Sequence, residues 1–137
     1  MEAPSVLFIC VSNTGKSQMA AALMAHHANG AVRALSAGTH PGTHLNAEMV
    51  EVLKEWGIDI SDAHPREIDP ELMRHADRVI VLGTQADVAP AACMRAPIER
   101  WATDEPSEYG ITGMERMRLI RAEIDTRVRA LLRDVNA

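Results

Sequence analysis

The sequence predicts an α/β fold, a three-layer sandwich in which helices flank a central four-stranded parallel sheet. Segments typical of strands and of helices alternate along the chain, and no repeat or linker divides its 137 residues. Two of the strand segments, SVLFICV and DRVIVLG, are almost wholly apolar, which is typical of parallel strands covered on both faces. The length suits one domain that spans residues 1–137.

In chain order, the predicted elements are a strand at 5–11, a helix at 17–28, a strand at 31–39, helices at 46–57 and 70–76, strands at 77–83 and 98–103, and a helix at 113–135. The first helix is rich in strong helix formers and is expected to end at Asn29 and Gly30. In the second helix, Asn46 is the expected N-cap and Gly57 the expected stop. Its apolar positions recur at helical spacing and are expected to face the core: Met49, Val50, Leu53 and Trp56.

The C-terminal helix is predicted to be amphipathic. Its apolar face is expected to pack on the sheet and contains Met114, Met117, Ile120, Ile124, Val128, Leu131 and Leu132. Its charged face is expected to lie in solvent and contains Glu115, Arg116, Arg118, Arg121 and Glu123. The loop DEPSEYG at 104–110 precedes this helix, and the Pro/Ala-rich stretch around Cys93 carries no recognisable pattern.

Composition and charge exclude several classes of protein. The formal charge of −5 argues against a nucleic-acid partner, because such proteins present basic surfaces to phosphates. The apolar run nearest the start, Val6 to Val11, is too short to span a membrane or to form a signal-peptide core. Two cysteines, Cys10 and Cys93, cannot form a disulfide framework, so a reducing cytoplasmic compartment is expected.

The stretch ICVSNTGKSQM, residues 9–19, admits two interpretations. Gly-Lys-Ser before a helix is typical of a nucleotide-binding phosphate loop, but Cys10 stands where that motif requires its first glycine. The third strand also ends in Leu82 and Gly83 and not in a magnesium-binding aspartate. The nucleotide interpretation is therefore disfavoured, and a cysteine nucleophile in an anion-binding loop is preferred.

In the preferred interpretation, backbone amides and the positive end of the following helix surround a tetrahedral oxyanion and stabilise a thiolate at Cys10. The expected anion-binding residues are Val11, Ser12, Asn13, Thr14, Gly15 and Lys16. Gly15 is expected to adopt a backbone conformation closed to other residues. Asn13 tolerates left-handed geometry and is expected to pin the loop through its amide. Ser17 is expected to donate a hydrogen bond to the Cys10 sulfur, and Lys16 to balance the charge of the anion.

These residues, together with SAGT at 36–39, GIDIS at 57–61 and DEPSE at 104–108, resemble the low-molecular-weight protein tyrosine phosphatase family. The resemblance covers essentially the whole chain and is greatest for the arsenate reductase branch, in particular the arsenate-mycothiol transferases. It implies Cys10 as the catalytic nucleophile, arsenate as substrate and phosphate as its analogue. It also implies no tightly bound cofactor, with mycothiol as co-substrate and a mycoredoxin as partner.

Three departures from the family pattern bear on the function. Lys16 stands where the family has arginine, and its point charge should hold phosphoryl transition states less well than a guanidinium fork. The family places an aspartate before a late proline as general acid, whereas here Asp104 and Glu105 precede Pro106 and either qualifies. Asp104 is slightly favoured as the general acid, because a shorter side chain is easier to position. The remaining alternative is that both carboxylates are solvated loop residues without a catalytic role.

The third departure concerns the relay cysteines of thioredoxin-coupled arsenate reductases. Leu82 occupies the first of those positions, and Cys93 does not fit the second, so an external small thiol is expected to supply the electrons. Cys93 is expected to be structural or incidental and not a resolving thiol. The histidines are expected to be surface or capping residues, and no metal site is predicted: His26, His27, His40, His44, His64 and His75.

Two further functions stay open at this point. A low-molecular-weight tyrosine phosphatase would use the same pocket through a Cys10-phosphate intermediate, and Tyr109 would contact part of the substrate's ring. A non-catalytic module would bind oxyanions without turnover. The replacement of arginine by Lys16 and the 3% aromatic content count against the phosphatase.

Overall fold

The computed structural model describes residues 3–136, which form a parallel four-stranded sheet in the order β2-β1-β3-β4. The strands are β1 (Ser5–Cys10), β2 (Arg33–Gly38), β3 (Arg78–Leu82) and β4 (Ile98–Trp101). The helices are α1 (Lys16–Ala28), α2 (Ala47–Lys54), α3 (Pro70–His75) and α4 (Gly113–Val135), with a short 3-10 helix at Pro106–Tyr109. The predicted α/β sandwich with helices flanking a parallel sheet is confirmed.

Side chains of β1 alternate between two hydrophobic layers, because successive residues of a strand point to opposite faces. Val6 and Phe8 pack with α1, α2 and α4 on one face. Leu7 and Ile9 pack on the other face with Met73 of α3 and with Ala86 of the irregular segment after β3. Every residue of β1 is buried, which agrees with the continuous apolar run in the sequence.

Most predicted elements are observed, with shorter ends. The strands predicted at 5–11, 31–39, 77–83 and 98–103 are each shorter by one to three residues, and the C-terminal helix has the predicted bounds. Asn46 caps α2 by accepting a hydrogen bond from the Met49 amide at 2.9 Å, as predicted. Asn29 adopts the left-handed conformation that ends α1. Within residues 3–136, no helix has the length and apolar content that crossing a membrane requires.

Two expectations for the helix faces are wrong. Trp56 was expected to face the core but is 39% exposed, because α2 ends at Lys54 and the chain turns before the indole can reach the sheet. Arg121 was expected in solvent but is only 8% exposed. Its guanidinium lies over the Trp56 ring at 4.0 Å and donates to the Val52 carbonyl and the Glu55 carboxylate, so it fills the gap between α2 and α4.

Candidate active site

The loop that joins β1 to α1 lies at the carboxyl edge of the sheet, where α/β proteins bind their ligands. Its carbonyl groups point away from the loop centre, toward the segment that follows β2. The amides of that segment donate hydrogen bonds to these carbonyls at 2.8–3.1 Å: Thr39 to Cys10, His40 to Val11, Gly42 to Ser12 and Asn46 to Thr14.

Four carbonyls of the loop are thus paired with the segment after β2, which leaves the loop's amides to other partners. Within residues 3–136, the amides of Ser12, Gly15 and Lys16 donate to no protein acceptor. The last of these lies in the first turn of α1, where unsatisfied amides and the helix dipole attract negative charge. This arrangement can receive an anion.

Cys10 is buried at the base of this loop, with 8% of its surface exposed. Its sulfur lies 2.9 Å from the Ser17 hydroxyl oxygen, and the Asn13 amide donates to it at 3.3 Å. Asn13 Nδ2 donates to the same Ser17 oxygen at 2.7 Å, which leaves the hydroxyl proton free to point at sulfur. Two hydrogen-bond donors therefore converge on the sulfur and fix its position at the base of the loop.

Asn13 anchors the loop to the rest of the molecule. It is fully buried and has the left-handed conformation expected for it, with φ 54°. Its side-chain oxygen accepts from the Gln18 side chain at 3.1 Å and from the Arg66 amide at 3.0 Å. The Asn13 side chain thus connects the loop, the start of α1 and the chain beyond α2.

Gly15 has a φ of −133° and a ψ of −98°, outside the helical and extended regions, in agreement with the conformation expected for it. The left-handed position of the loop is Asn13, and a second glycine requirement lies outside the loop. The tight position is Gly38 at the end of β2. A Cβ there would lie 2.7 Å from the Val11 carbonyl oxygen and 3.0 Å from Asn13. Gly38 is part of the SAGT motif, which carried the only sequence signal for this contact.

Lys16 begins α1 and reaches across the pocket. Its Nζ donates to the Thr103 hydroxyl at 3.0 Å. These two residues are 87 positions apart in the sequence. Thr103 lies between the end of β4 and the two candidate acids, and nothing in the sequence pattern indicated it as a site residue.

The two candidate acids have different surroundings. Glu105 accepts from Arg116 at 2.6 and 2.7 Å and also from the Ser107 amide and hydroxyl. The Arg116 guanidinium holds the pKa of the Glu105 carboxyl well below its usual range, with the Ser107 hydrogen bonds adding to the effect.

Asp104 is exposed and belongs to the same pocket as Cys10. It accepts from the Tyr109 hydroxyl at 3.1 Å, and its backbone amide donates to the Glu123 carboxylate at 2.9 Å. The hydrogen bond to Asp104 raises the pKa of the Tyr109 phenol, because a nearby carboxylate disfavours the phenolate.

The loop and the acids line one cavity of about 520 Å³. Of the predicted anion-binding residues, Asn13 lies behind its wall and the others line it. Ser17 is buried beneath it. The remaining lining residues include several that sequence reasoning did not identify: Leu82, Gly83, Thr84, Gln85, Thr103 and Glu108.

Cys93 and the histidines lie outside this cavity. Cys93 is exposed in the irregular segment before β4, and neither cysteine is in a disulfide. His27 pairs with Asp125 of α4 at 2.6 Å, whereas the other five histidines are exposed. Among residues 3–136, no three His, Cys, Asp or Glu side chains are grouped so as to hold a metal ion.

Comparison with known proteins identifies related sequences and structures. The family model described as low molecular weight phosphotyrosine protein phosphatase matches residues 5–137. An arsenate reductase of Halalkalibacterium halodurans is 34% identical over 128 residues, covering 90% of this chain and 91% of that protein. An arsenate reductase of Bacillus subtilis is 32% identical over 133 residues, covering 94% of this chain and 95% of that protein.

Solved structures show the same similarity. A thioredoxin-dependent arsenate reductase of Corynebacterium glutamicum superposes with a TM-score of 0.78 at 33% identity, over 98% of this chain. This chain spans 62% of that longer chain. An arsenate reductase in the phosphate binding state gives a TM-score of 0.83 at 25% identity, covering 96% of this chain and 98% of that one.

Proposed function

This chain belongs to the low-molecular-weight phosphotyrosine protein phosphatase family, and on that premise we propose that it is an enzyme that reduces arsenate through a thiol adduct. The observation that carries the proposal is the Cys10 sulfur, held by the Ser17 hydroxyl and the Asn13 amide at the base of an anion loop. Relatives named arsenate reductase at 34% and 32% identity supply the choice of arsenate.

In the proposed first step, arsenate binds the loop amides that have no protein acceptor in the described part of the chain, and Lys16 offsets its charge. The Cys10 thiolate either attacks arsenic, forming an S–As bond, or helps to hold arsenate while the small thiol attacks. In either case one arsenate oxygen leaves as water, and a proton must reach it. The loop amides stabilise the charge that develops on the remaining oxygens.

We assign the proton donor to Asp104. Its carboxyl lines the cavity with Cys10, and its position is fixed by Tyr109 and by Glu123. Glu105 is unsuited to the same task, because Arg116 holds it in the ionised form and a general acid must carry a proton. This supports the slight preference for Asp104 that side-chain length suggested.

The proposed electron source is a small external thiol, mycothiol, in a compartment that keeps thiols reduced. Leu82, and not a cysteine, closes the cavity wall at the end of β3. The volume of about 520 Å³ exceeds that of one tetrahedral oxyanion, which leaves room for a co-substrate beside arsenate. Where Cys10 attacked first, the mycothiol thiolate displaces the Cys10 thiolate from arsenic, so in both routes the mycothiol sulfur ends bound to arsenic. A mycoredoxin thiolate then attacks that sulfur, the S–As electron pair reduces arsenic to arsenite, and a mixed disulfide remains.

The test is arsenite production from arsenate by the purified protein, with three reductants in parallel: mycothiol with mycoredoxin, glutathione, and thioredoxin. We expect turnover with the mycothiol system, none in Cys10→Ser, and full turnover in Cys93→Ser. If thioredoxin supports turnover and Cys93→Ser abolishes it, the electrons pass through an internal relay that includes Cys93, and not through a small external thiol. Full activity of Cys10→Ser would show that Cys10 is not the nucleophile.

One observation favours a second function, a phosphatase with a Cys10-phosphate intermediate. Tyr109 is 67% exposed and its hydroxyl donates to Asp104, which lines the cavity, so its ring is available to contact an aryl phosphate. A burst of para-nitrophenol from para-nitrophenyl phosphate, with no arsenite formed by any thiol, would select this function. Phosphate binding without turnover of either substrate would indicate a non-catalytic oxyanion-binding module.

A further inference from the structure

We infer that Thr103 is a positioning residue that holds the Lys16 ammonium over the oxyanion site and keeps its charge available to the anion. The inference rests on the proposed function, because it takes the loop after β1 to be an oxyanion site. It adds a specific role for a residue outside the loop, in the acid-bearing segment after β4.

The first step of the argument is the chemistry of lysine. An ammonium on a four-carbon stem is a mobile point charge, whereas a guanidinium presents a rigid fork of donors. A loop that uses lysine therefore gains from a second group that fixes the position of the charge. The Thr103 hydroxyl accepts from Lys16 Nζ at 3.0 Å and provides such a group. Two of the three ammonium donors remain free for an anion.

The second step is the choice of partner. Asp104, Glu105 and Glu108 line the same cavity as Lys16. Yet Lys16 Nζ lies within 4.0 Å of no carboxylate oxygen in the described part of the chain. A carboxylate partner would neutralise the ammonium, whereas a hydroxyl holds it and leaves the full charge for arsenate or phosphate.

The third step is what keeps the nearest acids away. Arg116 occupies both carboxylate oxygens of Glu105, and the Tyr109 hydroxyl occupies one oxygen of Asp104. Thr103 precedes these two acids in the chain, so the same segment supplies both the tether for Lys16 and the proposed proton donor. Removal of the tether should let Lys16 turn toward Asp104, which weakens oxyanion binding.

The experiment measures the dissociation constant of inorganic phosphate by titration calorimetry at constant ionic strength, so it needs no turnover. Thr103→Val, which keeps the shape and removes the acceptor, should raise this constant by a factor of about 5 to 10. Thr103→Ser should restore it to within a factor of about 2 of the wild-type value. Thr126→Val is the matched control, because Thr126 is exposed on α4 and, among residues 3–136, its hydroxyl bonds only the Ala122 carbonyl.

A double-mutant cycle separates positioning from a merely structural role. In a Lys16→Met background, Thr103→Val should cause no further loss of phosphate affinity. In arsenate kinetics, Thr103→Val should raise KM by a factor similar to that for phosphate, with a smaller change in kcat. An unchanged phosphate constant in Thr103→Val, failure of serine to rescue, or an equal loss in the Lys16→Met background would each overturn the inference.

Failure of the inference and failure of the proposed function give different results. If the wild-type protein binds phosphate but forms no arsenite with any thiol, the proposed function is wrong, and the double-mutant cycle still tests Thr103. If the wild-type protein forms arsenite and Thr103→Val binds phosphate normally, only the inference about Thr103 is wrong. A wild-type protein that neither binds phosphate nor forms arsenite overturns both.

Discussion

Arg116 of α4 donates to both carboxylate oxygens of Glu105, at 2.7 and 2.6 Å, and thereby fastens the acid-bearing segment to the C-terminal helix. Glu105 in turn caps the 3-10 helix by accepting from the Ser107 amide. Both neighbouring carboxylates line the cavity, but both oxygens of Glu105 are held by Arg116, whereas Asp104 accepts from the Tyr109 hydroxyl through one oxygen.

This ion pair predicts a specific dependence of stability on pH. The pKa of Glu105 is lowered in the folded protein, so its contribution is fully present above the unfolded value of about 4.3 and is lost as the pH falls below that value. We expect the pair to contribute about 1 kcal/mol at neutral pH, since both side chains are about a quarter exposed.

Urea unfolding at about pH 7 and about pH 3.5 measures this contribution. Glu105→Gln should be less stable than the wild type at the higher pH and close to it at the lower one. A variant that differs equally from the wild type at both pH values would contradict the assignment of this pH dependence to Glu105.

The catalytic roles of the two acids should separate in kinetics. Asp104→Asn keeps the size of the side chain but cannot donate the same proton, so kcat for arsenate reduction should fall by about 100-fold. Glu105→Gln should lower kcat by less than about 10-fold, through loosening of the segment. An equal or larger loss in Glu105→Gln, in protein shown to be folded, would exchange the two roles.

Gly38 should tolerate no side chain. In Gly38→Ala the new Cβ would lie 2.7 Å from the Val11 carbonyl oxygen, and backbone atoms must move to relieve the contact. We expect a loss of about 1–3 kcal/mol in the free energy of unfolding and at least about 10-fold weaker phosphate binding. Ser36→Ala in the same strand adds no atom and serves as control. Wild-type phosphate affinity in Gly38→Ala would show that the loop does not depend on this approach.

The two arginines that bind Glu55 should differ in their contribution to stability. Arg121 is buried, donates to the Val52 carbonyl at 2.7 Å and stacks on Trp56. Arg121→Met should therefore cost about 2 kcal/mol of unfolding free energy. Arg118 is half exposed, so the urea midpoint for unfolding of Arg118→Met should be close to that of the wild type. Equal effects of the two substitutions would contradict this difference.

Much of the fold follows from local sequence. Continuous apolar runs marked β1 and β3, because strands covered on both faces need no polar side chains. The capping by Asn46 and the end of α1 at Asn29 were predicted because caps depend on a few neighbouring residues. The expectation failed at Trp56 and Arg121, since helical spacing shows which residues share a face but not where the neighbouring helix ends.

By itself, the sequence determined the parallel α/β fold, the family, and the placement of Cys10 at the start of an anion loop, because these follow from patterns within short segments. Only the tertiary structure decided that Thr103 holds Lys16, that Gly38 closes on the loop and that Arg116 occupies Glu105. Each of these is a contact between separate elements, 87 positions apart for Lys16 and Thr103. Hydrogen bonds act over about 3 Å, so their partners are defined by how the elements pack and not by their order in the chain.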